Sequence, residues 1–197
     1  MQAGGGLPEN SRLHPDQQLV DERGRPSMSA QPGDTFREVL GHFATGITVI
    51  TGTSPDGPLG FTCQSFSSLS LNPPLVLALP AKSSKSWPLI ARHGRFCVNV
   101  LTEGQQAISA AFATSGGDKF AGVSWSESPG GLPIIDGACA WIECEIETSH
   151  PGGDHLIVVG RVRHLASTAD GASPLLYHRG RYSGSRPAIA QRNAFHV

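Results

Sequence analysis

Residues 60–87 read GFTCQSFSSLSLNPPLVLALPAKSSKSW. Hydroxyls crowd this stretch, Lys82 and Lys85 are its only charges, and no carboxylate offsets them. Two kinds of chemistry suit it. The run AKSSKS at 81–86 can hold an anion. Ser83, Ser84 and Ser86 offer hydroxyls, Lys82 and Lys85 offer ammoniums, and a helix opening near Ser84 would add free backbone N–H groups. A plain capped helix with solvated lysines explains the same residues about as well. The run TCQSFSSLS at 62–70 sets hydroxyls beside Phe66 and Leu69, which suits a flat heteroaromatic ring with a polar edge. The plainer alternative is a serine-rich β-loop whose hydroxyls bond its own backbone.

His150 and His155 flank a turn, with Asp154 beside His155. Their spacing matches no common metal-ligand pattern, so no metal is expected. A ligand-facing role and a surface turn role for His155 are equally open. Asp118-Lys119-Phe120 can anchor a loop by an ion pair, or Lys119 can reach an anion. Cys63, Cys97, Cys139 and Cys144 show no CxxC spacing and read as buried, reduced thiols. Trp87, Trp125 and Trp141 read as packing residues. The chain has no GxGxxG, no GxxxxGK[ST] and no GxSxG, so any nucleotide cofactor must be held in another way.

Short strands must position these groups. Asp34 or Thr35 can cap a first helix, with Phe36, Leu40 and Phe43 on one face and Gly46 at its end. Strands are expected at 47–52, 58–63, 75–79 and 96–101. A second helix is expected over 84–94, with Pro88 early in it. Thr102-Glu-Gly-Gln105 fits a capping box opening a third helix through Phe112. Over 140–165 the chain reads as a hairpin turning at Pro151-Gly-Gly153. Ile142, Cys144 and Ile146 alternate with Glu143, Glu145 and Glu147, giving one buried and one wet face. Arg161 and Arg163 on the return strand can pair with those glutamates. This pattern favours an antiparallel β-barrel with a few peripheral α-helices over a doubly wound parallel sheet.

The chain has 197 residues, enough for one domain with a sizeable core. Hydrophobic residues make up 39% and charged residues 16%, as in soluble globular proteins. A net charge of -1 gives no electrostatic case for nucleic acid or an anionic membrane. No apolar run approaches the roughly 20 residues of a membrane span. The N-terminus lacks the basic and apolar regions of a signal peptide, so a cytoplasmic location is expected. Residues 1–33 read as a disordered tail, 34–184 as the folded domain and 185–197 as a C-terminal tail in which Phe195 can dock.

The motifs FREVLGHFATGITVIT, GFTCQSFSSLSLNPPLVL, SSKSW, GRFCVNVL, DKFAGVSW, GGDHLIVVGRV and LLYHRGRYSG occur in this order. Together they resemble the short-chain flavin reductases. These are the reductase components of two-component flavin-dependent monooxygenases, such as those acting on secosteroids and 4-hydroxyphenylacetate. The resemblance implies an antiparallel Greek-key split β-barrel (the FMN-binding split barrel) that forms a homodimer. It implies FMN or FAD as the flavin and NADH or NADPH as hydride donor. Reduced flavin would pass by diffusion to a separate monooxygenase. It places Thr62, Cys63, Gln64 and Ser65 at the isoalloxazine edge. Ser83, Ser84, Lys85 and Ser86 would lie near the phosphate or ribityl tail, with Gly153, Asp154 and His155 on the nicotinamide side. Thr45, Thr48, Ser68 and Tyr182 complete the expected cofactor-binding set, and His155 is the catalytic candidate. Because hydride passes between two cofactors, these residues are expected to position rather than to act as a general base. Gln64 stands where many relatives have Asn, and Cys63 where they have Ala, Val or Ser. Two rival readings are a split-barrel oxidoreductase that retains FMN and reduces another small molecule, and a non-enzymatic flavin- or haem-pigment-binding module. Arg161, Arg163, Arg179 and Arg181 are candidates to meet a 2′-phosphate of NADPH.

Overall fold

The computed structural model describes residues 32–167 and 172–184. Helix α1 (Pro32–Leu40) belongs to a separate compact unit from the chain that begins at Gly41. In α1, Asp34 pairs with Arg37 at 3.5 Å, and Phe36, Val39 and Leu40 are exposed. The helix ends earlier than the periodicity suggests. Gly41 follows at once, a poor helix former, and Thr45 and Gly46 are claimed by a strand, so Phe43 lies outside the helix.

From Gly41 the elements run β1 (Thr45–Gly46), β2 (Thr48–Ser54), β3 (Gly57–Cys63), β4 (Phe66–Leu71), β5 (Pro74–Ala78), α2 (Trp87–Arg92) and β6 (Arg95–Val100). A 3₁₀ turn (Glu103–Gln105) leads into α3 (Gln106–Ala113). Then come β7 (Trp125–Glu127), β8 (Pro133–Ile135), β9 (Ala140–Gly152), β10 (His155–Ser167), β11 (Leu175–His178) and β12 (Arg181–Gly184). The main sheet has seven strands in the order β3-β2-β6-β9-β10-β5-β4, all antiparallel. β3 and β4 are its two edges, yet only Gln64 and Ser65 separate them in the chain. So short a link forces the edges side by side, and the sheet curls into a split β-barrel with a seam at Gln64–Ser65. Smaller sheets, β1-β11-β12 and β7-β8, flank it.

Ile50, Val76, Ala78, Phe96, Val98, Cys144 and Val158 form the barrel core. α2 plugs it with Ile90 and Trp87, whose indole stands edge-on between Phe61 and Phe96 at 6.3 and 6.0 Å. A second cluster packs Phe112 of α3 against Phe120, Ile47 and Leu101. The expected strands appear within two residues of their limits. The capping box at Thr102 is present, with the Thr102 N–H donating to Gln105 Oε1 at 3.0 Å. α2 is shorter than expected: it starts at Trp87, leaving Ser83, Ser84 and Ser86 outside it.

The long hairpin forms as expected, and Arg161 and Arg163 pair with Glu147 and Glu145. β9 runs on to Gly152, so the turn falls at Gly153 and Asp154, with Gly153 at φ +67°. Glu143 departs from the wet face. It is 2% exposed because the segment between β7 and β8 folds over it. There its carboxylate accepts the Gly130 N–H at 2.9 Å and faces Arg95 at 4.0 Å. A Cβ at Gly130 would fall 1.9 Å from Glu143 Oε1, so a side chain there would have to displace the buried carboxylate.

Candidate functional site

A cleft of about 740 Å³ opens at the barrel seam. β3 forms one wall with Gly60, Phe61, Thr62 and Cys63, and the seam residues Gln64 and Ser65 form its corner. Ser83, Ser84, Lys85 and Ser86 form a second wall, and His155 borders them. Phe112 and the loop ending in Lys119 and Phe120 form the third.

The hydrogen bonds show which polar groups remain for a ligand. Thr62 Oγ1 donates to Ser109 O at 2.6 Å, Ser65 Oγ to Leu79 O at 3.0 Å and Ser86 Oγ to Gly60 O at 3.1 Å. Their hydrogens are spent, so these oxygens can only accept from a bound molecule. Ser84 Oγ accepts the Trp87 N–H at 3.1 Å and keeps its own hydrogen. The side chains of Gln64, Ser83 and Lys85 have no hydrogen-bond partner among the described residues.

His155 is tied to the 81–86 segment through the backbone. His155 and Ala81 form a β-bridge, Lys82 N donates to Asp154 O at 2.9 Å, and Leu156 N donates to Pro80 O at 2.9 Å. The Lys82 ammonium reaches Gly153 O at 2.5 Å and so braces the turn. His155 Nδ1 lies 2.8 Å from Asp154 Oδ1, and this hydrogen bond holds the Asp154 carboxyl below the usual range.

Cys63 lies against the cleft but is only 4% exposed. Burial pushes its thiol up, outweighing the contact with Ser65 Oγ at 3.5 Å, so it is a neutral group.

Gly153, whose carbonyl Lys82 holds, and five further expected residues do not line the cleft. Thr48 is buried on β2 beside Cys63 and donates to Cys63 O at 2.7 Å. Thr45 Oγ1 is buried with no partner among the described residues. Ser68 is exposed on β4, and Asp154 is exposed beside His155. Tyr182 OH contacts Ser109 Oγ of α3 at 3.0 Å. The third wall was not in the expected set. Its sequence signal was the DKF run after Gly116-Gly117, both glycines at positive φ. Asp118 does not pair with Lys119; its Oδ1 accepts the Phe120 N–H at 3.0 Å. Among the described residues, no three His, Cys, Asp or Glu side chains converge as metal ligands. No described helix is long and apolar enough to cross a membrane.

The chain matches the flavin reductase like domain over residues 40–186. It is 54% identical over 162 residues to the reductase subunit HsaB of a flavin-dependent monooxygenase from Mycobacterium tuberculosis, covering 81% of this chain and 87% of that protein. The crystal structure of nitrilotriacetate monooxygenase component B from Mycobacterium thermoresistibile superposes with a TM-score of 0.78 at 48% identity, covering 82% of this chain and 91% of the other. The Streptomyces globisporus NADH:FAD oxidoreductase SgcE6, in complex with NAD and FAD fragments, superposes with a TM-score of 0.76 at 34% identity, covering 87% and 99%. Fold, seam cleft and sequence agree that this chain belongs to the flavin reductase-like family.

Proposed function

We propose that the chain is an NAD(P)H:flavin oxidoreductase that reduces FMN or FAD by hydride transfer and supplies free reduced flavin to a separate flavin-dependent monooxygenase. The observation that carries this reading is the seam cleft, where the Gln64 amide, the Ser83 hydroxyl and the Lys85 ammonium are left without partners among the described residues. Its volume, about 740 Å³, suits a cofactor-sized ligand, since such sites run to roughly 300–1,000 Å³. The names of the relatives support the reading: a monooxygenase reductase subunit, and an NADH:FAD oxidoreductase bound to fragments of both cofactors.

Bound flavin and nicotinamide supply the hydride chemistry. The chain's work is placement. Gln64 offers an amide donor and acceptor to the polar edge of a ring, and Thr62 and Ser65 offer acceptor oxygens only. Ser83, Ser84 and Lys85 offer donors and charge to a phosphate. His155, held through Nδ1 by Asp154, positions the second cofactor. Phe61 and Leu89 supply apolar cleft surface that limits water. No side chain has to take up or release a proton for hydride to pass.

Arg161 and Arg163 are engaged by Glu147 and Glu145, and neither they nor Arg179 and Arg181 line the cleft, which favours NADH over NADPH. Leu69, Leu71 and Leu165 are large, exposed apolar side chains on β4 and β10, which supports a homodimer that covers them. A cytoplasmic location fits a reductase fed by the nicotinamide pool.

The test is steady-state NADH oxidation by purified protein with FMN, FAD or no added flavin. Turnover that saturates with added flavin is expected. Flavin binding with no NADH or NADPH oxidation would replace this reading with a binding module.

A further inference from the structure

Lys119 reaches the cleft from the loop that follows α3. An ammonium has three N–H donors. Two of them go to backbone carbonyls, Phe112 O at 3.1 Å and Gly60 O at 3.2 Å. Neither acceptor carries charge, and no carboxylate pairs with Lys119 among the described residues. Loss of water holds its ammonium below the usual lysine range. A neutral donor would hold the same carbonyls without that desolvation cost, so the carbonyls alone do not explain the charge. Lys119 is nonetheless placed where an anion would compensate it. Ser86, on the facing wall, donates to the same Gly60 oxygen, so the two walls meet at one atom.

We propose that Lys119 binds the phosphate of the flavin cofactor, closing the anion subsite opposite residues 83–86 with its remaining donor and its uncompensated charge. This rests on reading the cleft as a flavin site. A phosphate beside Lys119 restores the stabilisation that water gave the free ammonium, so charge-assisted hydrogen bonding there is strong.

The test compares FMN with riboflavin, which has the same ring and ribityl chain but no phosphate. Binding is read from quenching of flavin fluorescence, without turnover. Lys119→Met and Lys119→Gln should each weaken FMN binding by roughly tenfold or more. Riboflavin binding should change less than about twofold, and Lys119→Arg should restore most of the FMN affinity. Lys119→Gln keeps a neutral donor for the carbonyls, so it separates charge from loop anchoring. Equal losses for both flavins would make Lys119 a structural latch and overturn the proposal. An unchanged FMN affinity, even with a raised KM for NADH, would also overturn it. Wild-type protein that binds neither flavin would instead bring down the reading of the cleft itself.

Discussion

Ser86 Oγ and Lys119 Nζ donate to one shared acceptor, the carbonyl oxygen of Gly60, at 3.1 and 3.2 Å. One residue from the stretch before α2 and one from the loop after α3 are thereby clamped onto β3. The junction tolerates no side chain at its centre, since a Cβ on Gly60 would lie 2.7 Å from Ile50 O and 2.9 Å from the Phe112 ring. Gly60→Ala should destabilise the fold by about 1–3 kcal/mol, because backbone must move as well as the ring. It should also weaken flavin binding. A lowered denaturant midpoint at unchanged m-value would show the first effect, and fluorescence titration the second.

His155→Ala should raise the KM for NADH more than it raises the Kd for flavin. The histidine sits at the rim of the cleft, on a turn stitched to the 81–86 segment. The reverse ratio would assign it to the flavin instead.

The hydrogen bond and charge of Arg163 hold the Glu145 carboxyl below the ordinary range. The unfolded chain therefore takes up this proton at higher pH than the folded one does. The ion pair's contribution is present above the ordinary carboxylate pKa and is lost as pH falls through the depressed folded value. Glu145→Gln should thus differ from wild type in denaturant midpoint near neutrality, and the difference should shrink in acid. A difference that does not vary with pH would remove the ion pair as its cause. The pair is solvent-exposed, so the effect should be small.

Cys63, Cys97 and Cys144 are buried and free, and burial pushes the Cys144 thiol up to about 12 and Cys97 higher still. A disulfide-exchange reagent should find only Cys139 in the native protein and all 4 cysteines after unfolding. Cys139→Ser should abolish the native reaction. Rapid reaction in that variant would show that the core opens far more readily than its packing suggests.

The sequence conveyed what local periodicity can convey. Alternation at Ile142, Cys144 and Ile146 marked β9, and Arg161 and Arg163 found glutamate partners across the hairpin. Glu143 broke the pattern because its burial is imposed by a segment that precedes it by more than ten residues. β4 resisted because Ser67, Ser68 and Ser70 have no strong strand preference; only its ladder with β5 makes it a strand. The clustering of 62–65, 83–86 and His155 around one cleft followed from family resemblance, since no spacing rule joins segments so far apart. Lys119 was visible as a possible anion contact but unassigned, because its neighbours Gly60 and Phe112 are brought to it only by the fold.

The contact between Gly130 and Glu143 reaches beyond stability. A methyl group at 130 collides with the carboxylate, so the two positions cannot drift independently. Alanine at 130 therefore requires the Glu143 carboxylate, and the Arg95 guanidinium beside it, to move aside. A replacement at either position thus changes what the other can hold, so the two residues read as one coupled unit of sequence.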